Sequence, residues 1–157
     1  MVRALRLWPL AALLAALLVA GCQDKPVNVR MDGNILAALD INPDNNGRPS
    51  PTVVRVYQLK SADAFQKADF FSLFDQEKSL LGENLIAREE MDLRPGEKRE
   101  FKRDMKPETR YVGVVAAFRR INDARWRSIV RIPEKVKSVN LAIKLTRLGV
   151  SVGIAGQ

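Results

Sequence analysis

The chain has 157 residues, of which 26 are lysine or arginine and 18 aspartate or glutamate, giving a net charge of +8 with no histidine and one cysteine. The absence of histidine excludes a Ser-His-Asp triad and a histidine-ligated zinc site, and a single thiol excludes an internal disulfide. Any fold must therefore rest on its apolar core, and any function on chemistry other than these.

The first 21 residues read as an export signal. Arg3 and Arg6 precede an apolar run, Leu7 to Val19, which ends in Ala20, Gly21 and Cys22. A charged start, an apolar middle and small residues at a cut site form a signal peptide. The run is shorter than the ~20 residues of a membrane span. A cysteine directly after Ala20-Gly21 resembles the bacterial lipobox, with Val19 where leucine is commoner. That resemblance implies cleavage before Cys22, a diacylglycerol on its thiol and an acyl group on its new amine. The plainer alternative is an ordinary secretory signal followed by a stray cysteine. Several acyl chains would hold the chain stably on a membrane. Gln23 next to the cysteine favours the outer membrane, while Asp24 stands one place from where an inner-membrane retention signal is read. Removing residues 1–21 takes away two arginines and leaves 136 residues of net charge +6, the size of one domain. Such a charge suits anionic head groups or an acidic partner. The basic residues are spread along an exported chain, so nucleic acid is not expected.

Residues 22–26 form a short tether, and residues 27–157 the folded domain. From Val27 to Ile41 apolar residues hold odd positions and polar ones most even positions, which predicts a strand, bent near Gly33. Asn42, Pro43, Asp44, Asn45, Asn46, Gly47, Arg48, Pro49, Ser50 and Pro51 then read as a loop. It is long for a hairpin connection, and long loops in compact domains carry function. Either it is a solvated hairpin, or its three prolines prepare a partner-binding segment by lowering the entropy lost on ordering.

Val53 to Leu59 reads as the second strand. A helical insertion at about 61–82 follows, with starts at Ser61/Asp63 and Asp69 and a stop at Gly82. Phe65, Phe70, Phe71 and Phe74 fall inside it, either capping an open end of the core or forming a docking surface. Leu85 to Met91 is a weak strand, and Pro95-Gly96 a turn. Lys98 to Arg103 suits a charged edge strand, and Tyr111 to Phe118, apolar on both faces, a central one. Arg119 to Arg125 reads as a hairpin tip. The stretches around Trp126–Ile132, Val139–Leu145 and Leu148–Ile154 alternate again. About eight strands and one helical insertion predict a mainly β protein, a two-sheet β-sandwich.

Other chemistry finds little footing. Glu89 and Glu90 point to opposite faces of a strand and cannot form a simple catalytic dyad. Asp40 and Asp44 lack the ligand spacing of a calcium loop. Arg125, Arg127 and Arg131 form a basic stripe beside Trp126 that could touch phosphates or be merely solvated. No enzyme, metal or cofactor is expected beyond the lipid on Cys22.

The chain is similar to a known family. Leu39-Asp40-Ile41-Asn42-Pro43, Gly47, Pro49-Ser50-Pro51, Val53, Arg55 and Tyr57-Gln58-Leu59 match the TssJ family of type VI secretion lipoproteins. Phe65, Ala68-Asp69-Phe70, Leu73-Phe74 and Leu81-Gly82 continue it, as do Leu93, Pro95-Gly96, Gly113-Val114, Ala116 to Arg119 and Trp126-Arg127. The resemblance implies a transthyretin-like sandwich anchored in the outer membrane and facing the periplasm. It also implies a partner, the periplasmic C-terminal domain of the inner-membrane protein TssM, and through it the other inner-membrane components of an envelope-spanning complex. The loop between the first two strands, Asn42 to Pro51, is the implied contact, with Asn45, Asn46, Arg48 and Pro49 foremost. The competing expectation is an envelope lipoprotein whose sandwich binds a small ligand or glycan, in a pocket lined by the phenylalanines.

Overall fold

A computed structural model describes residues 29–156. The signal segment, Cys22 and the tether lie outside the described residues. Within them eight strands form two four-stranded sheets. The first has the order β4-β1-β7-β8, with β1 (Val29–Ala37), β4 (Lys98–Met105), β7 (Ser138–Thr146) and β8 (Gly149–Ile154). The second has the order β3-β2-β5-β6, with β2 (Thr52–Leu59), β3 (Leu85–Leu93), β5 (Tyr111–Ala116) and β6 (Arg127–Arg131). The expected two-sheet sandwich is present. Because β1 and β2 lie in different sheets, the long loop between them is a crossover and not a hairpin.

Period-two alternation explains the main core. Met31 and Ile35 of β1, Val54 and Val56 of β2, Val112 and Val114 of β5, and Leu141 and Ile143 of β7 all turn inward. Inner strand β1 pairs antiparallel with β4 and parallel with β7. At Gly33, where a bend was expected, the pairing register continues without a bulge on both sides. Gly33 is instead required because the Phe101 ring lies on it: a Cβ there would meet the ring at 2.2 Å. The strand also stops at Ala37, before the expected Ile41. Leu39 falls in a turn and is 79% exposed, while Ile41 is buried.

The outer face of the second sheet is buried as well, under the helical insertion. Its helices are α1 (Asp63–Lys67), α2 (Phe70–Asp75) and α3 (Glu77–Leu81). Helices of five or six residues are too short to persist alone, so packing must hold them. Tyr57, Leu59 and Val115 from the sheet and Phe65, Leu73 and Leu81 from the helices make a second core. The phenylalanines therefore cover a sheet face and do not plug an open end. Phe71 alone among them projects into solvent, at 62% exposure. Asp69 caps α2 as expected, its carboxylate accepting from the Ser72 N–H at 3.0 Å. The α1 start differs: Ala62 holds the cap position without a side-chain bond.

Polar clamps fasten this insertion. The Arg55 guanidinium lies 3.6 Å from the centre of the Phe74 ring and pairs with Glu90 at 2.6 Å. Buried Tyr57 donates to the Glu77 carboxylate at 3.0 Å, and Arg88 reaches the same group at 2.9 Å. Burial and the Glu77 carboxylate push the Tyr57 hydroxyl well above its ordinary pKa, so it stays a donor. Arg127 donates to the backbone oxygens of Phe65, at 3.0 Å, and Ala68. That dissolves the expected basic stripe: Arg127 turns onto the insertion, Arg131 faces Glu134, and Arg125 stays exposed.

The Phe65 ring sits on Gly113 of β5, where an added Cβ would lie 2.6 Å from it. Gly113→Ala is expected to destabilise the domain by about 1–3 kcal/mol through overpacking. Urea unfolding of the two proteins measures it, and an unchanged midpoint would contradict the packing described.

Candidate functional site

Four connections meet at one end of the sandwich: the β1–β2 loop, the β3–β4 turn at Arg94–Glu97, the β5–β6 loop and the β7–β8 turn at Arg147-Leu148. The chain enters β1 at the other end, together with the β4–β5 and β6–β7 connections and the two ends of the helical insertion. β1 alone spans about 30 Å between the two ends, at ~3.3 Å per residue over nine residues.

Asn42 organises the loop end. It is 2% exposed and has φ of +48°, a left-handed conformation that asparagine tolerates better than most residues. Its N–H donates to the Arg147 carbonyl at 2.9 Å, and its side-chain amide donates to the Pro51 carbonyl at 2.7 Å. Its side-chain oxygen accepts from the Arg119 N–H at 2.7 Å. One side chain thus ties the mouth of its own loop to the β5–β6 loop, and its backbone ties it to the β7–β8 turn. Ser50 N–H to Ile41 carbonyl, at 3.1 Å, closes the base, and Thr52 donates to the Ala117 carbonyl at 2.8 Å.

The tip is built around Asp44. One carboxylate oxygen accepts from the N–H groups of Asn46 at 2.8 Å and Arg48 at 2.9 Å; the other accepts from the Arg48 guanidinium at 2.9 Å. The Asp44 N–H donates to the Arg48 carbonyl at 2.9 Å, and Gly47, at φ +80°, turns the chain between them. These donors, the Arg48 N–H foremost, hold the Asp44 carboxyl below its ordinary range. The tip is therefore a small preformed hydrogen-bonded ring, not a floppy segment.

Burial sorts the expected contact residues into two groups. Asn42, Pro43 and Ser50 are buried, and Asp44 is half-buried and spent on internal bonds; these four shape the loop. Asn45, Asn46, Gly47, Arg48, Pro49 and Pro51 are exposed and available to a partner. Sequence reasoning counted Asn42 among the contacts and missed its positioning role. The Asn42-Pro43 dipeptide closing an alternating run was the available signal for a special backbone conformation. It also missed Leu39, which stands exposed beside this loop against Gly96 of the β3–β4 turn.

The other candidates separate as expected. Glu89 pairs with Arg103 at 3.0 Å, whereas Glu90 faces Arg55 and Arg88. Asp40 lies 3.8 Å from Arg147 and does not share a site with Asp44. Phe65, Phe70 and Phe74 fill the space between helices and sheet with one another and with Tyr57 and Trp126. Of the three, Phe74 alone borders an open depression, of about 390 Å³, whose other walls are the charged side chains Arg55, Glu77 and Arg88 and their neighbours. Among the described residues no helix is long and apolar enough to cross a membrane.

Comparison with known proteins gives a consistent picture. Residues 29–148 match the family model of the type VI secretion lipoproteins VasD, EvfM and TssJ. The crystal structure of the type VI secretion lipoprotein TssJ1 from Pseudomonas aeruginosa is 34% identical, with a TM-score of 0.78 over 83% of this chain and 98% of that one. Lip of Serratia marcescens, a membrane-bound component of the type VI secretion system, is 26% identical with a TM-score of 0.74, covering 79% of this chain and 96% of that one. A chain of a type VI membrane complex is 25% identical with a TM-score of 0.71, covering 80% and 98%. No curated protein sequence matches.

Two expectations follow from the loop geometry. Asn42→Ala leaves the Arg119 N–H and the Pro51 carbonyl without their partner and should cost about 2 kcal/mol, measured by thermal unfolding. A depressed carboxyl stabilises the tip above the ordinary carboxylate range, and that contribution is lost as pH falls through the lowered folded value. The amide resonances of Asn46 and Arg48 should therefore titrate together with a midpoint below the usual aspartate pKa, and Asp44→Asn should abolish that midpoint.

Proposed function

The chain belongs to the type VI secretion lipoprotein family, and from that premise we propose that it is an outer-membrane anchor that docks the periplasmic C-terminal domain of TssM. In this reading residues 1–21 are removed, Cys22 carries the acyl chains, and residues 22–26 tether the sandwich to the periplasmic face of the outer membrane. The observation that carries it is the separation of ends: the chain enters β1 at one end of the sandwich, and the preformed Asn42–Pro51 loop stands at the other. A membrane anchor at the first end directs the loop toward the periplasm.

Physical chemistry supports such a division. Acyl chains confine the domain to a thin layer and raise its effective concentration for a partner that reaches across the periplasm. The loop is ordered before contact by the bonds of Asn42 and Asp44, so little entropy is lost when a partner binds. Asn45, Asn46 and Arg48 offer amide and guanidinium donors, and Pro49 and Pro51 rigid apolar surface. Through TssM the domain would join the inner-membrane components into one envelope-spanning complex. The work is holding, in keeping with a family of lipoprotein components of the secretion system.

Two experiments test this. Cys22→Ser should leave the domain folded yet stop secretion, and normal secretion by that unacylated variant would contradict the anchor. Replacing Asn45, Asn46 and Arg48 together by alanine should weaken capture of the TssM periplasmic domain at least tenfold. Exposed substitutions of this kind move the melting temperature by less than about 2 °C. Undiminished capture would remove the loop from the interface.

A further inference from the structure

The end of the sandwich where the chain enters has a surface of its own. Two of its three connections, residues 106–110 and 131–137, carry five basic residues, Lys106, Arg110, Arg131, Lys135 and Lys137, against two acidic ones, Glu108 and Glu134; the third is the helical insertion, which folds back over the second sheet. The first two border a depression of about 460 Å³ whose lining includes Val29, Ile132 and Val136, with Lys106, Arg110 and Lys135 around them. Lys135 is held with φ of +59°, in the left-handed region. Glu134 is 3.6 Å from Arg131 and so is already matched. Arg110 donates to the backbone oxygens of Pro107 and Thr109. Among the described residues no lysine has a carboxylate in ion-pairing range, and at this end three of them, Lys106, Lys135 and Lys137, fall within two short connections. At the loop end Arg48, Arg120 and Arg147 each face an aspartate, while Arg94, Arg119 and Arg125 face none among the described residues.

We propose that this tether-end surface lies on the bilayer and binds the phosphate head groups of anionic phospholipid. The inference rests on the anchoring at Cys22 proposed above. From Cys22 to Val29 are seven peptide steps, which reach at most ~25 Å even fully extended. The first described residue lines the basic depression, so the acyl anchor holds that surface within reach of the membrane. Lysines without carboxylate partners are the groups that gain most from an anionic surface. The contact would fix the domain upright and point the Asn42–Pro51 loop away from the lipid, where free pivoting about a tether would scatter its direction.

The test uses the mature lipoprotein in vesicles of neutral phosphatidylcholine, with and without phosphatidylglycerol, and reads amide hydrogen exchange. Segments 106–110 and 132–137 should exchange about tenfold more slowly on the anionic vesicles, while residues 45–49 are unchanged. The effect should vanish in high salt and in the Lys106→Glu/Lys135→Glu double variant, whose melting temperature serves as the check on folding. Equal exchange on both vesicle types, or protection that survives the double reversal, would overturn the head-group contact. A chain that fails to float with the neutral vesicles would overturn the anchoring on which it rests.

Discussion

Strand β1 is hydrogen-bonded along its length on both sides, and the rest of the molecule depends on that constraint. Eight of its residues register with β4 and eight with β7. The strand runs from the end where the described chain begins to the end that carries the Asn42–Pro51 loop, so it is the rod that separates the two. In the proposed reading, load applied between anchor and docking loop would run along this strand. Its release requires the two flanking ladders to give way together, not one bond at a time. Gly33 leaves room for the Phe101 ring while the pairing register runs on unbroken.

The second sheet serves as the platform for the insertion. Its outward side chains Tyr57 and Leu59 are buried, and Arg55 half-buried, because three helices, none stable alone, are clamped there by Arg55, Arg127 and the Tyr57–Glu77 bond. Backbone carbonyls at the end of α1 are satisfied by Arg127, the residue that a linear reading places on an open basic stripe. Charge in this protein is thus used in two ways. Arginines form the ion pairs that hold the insertion and the sandwich edges, whereas no lysine among the described residues is paired, and three of them gather in the β4–β5 and β6–β7 connections.

Much of this was legible because both faces of most strands obey simple periodicity. The odd positions of β1, the doubly apolar β5 and the charged edge of β4 translate directly into layers. The Pro95-Gly96 turn and the Asp69 cap were equally plain, since each depends on its own residue's conformational preference. What was not legible is long-range. Nothing local says that β1 and β7 run parallel, that the first loop crosses between sheets, or that Phe101 needs a glycine opposite it. The loop's location was readable from its prolines and asparagines, but the division between shaping and presenting residues was not. The proline after Asn42 hints at a special backbone there, but only the structure shows that the Arg119 N–H and the Pro51 carbonyl surround its side chain, which sets it apart from Asn45.

The account stands on the claim that anchor and docking surface occupy opposite ends of a rigid sandwich. Site-specific photo-crosslinking in cells measures that directly, with the photoreactive residue placed at Asn46 or at Lys135. Capture of TssM from Asn46, and of lipid without TssM from Lys135, is the result this account predicts. Capture of TssM from Lys135 and none from Asn46 would contradict it.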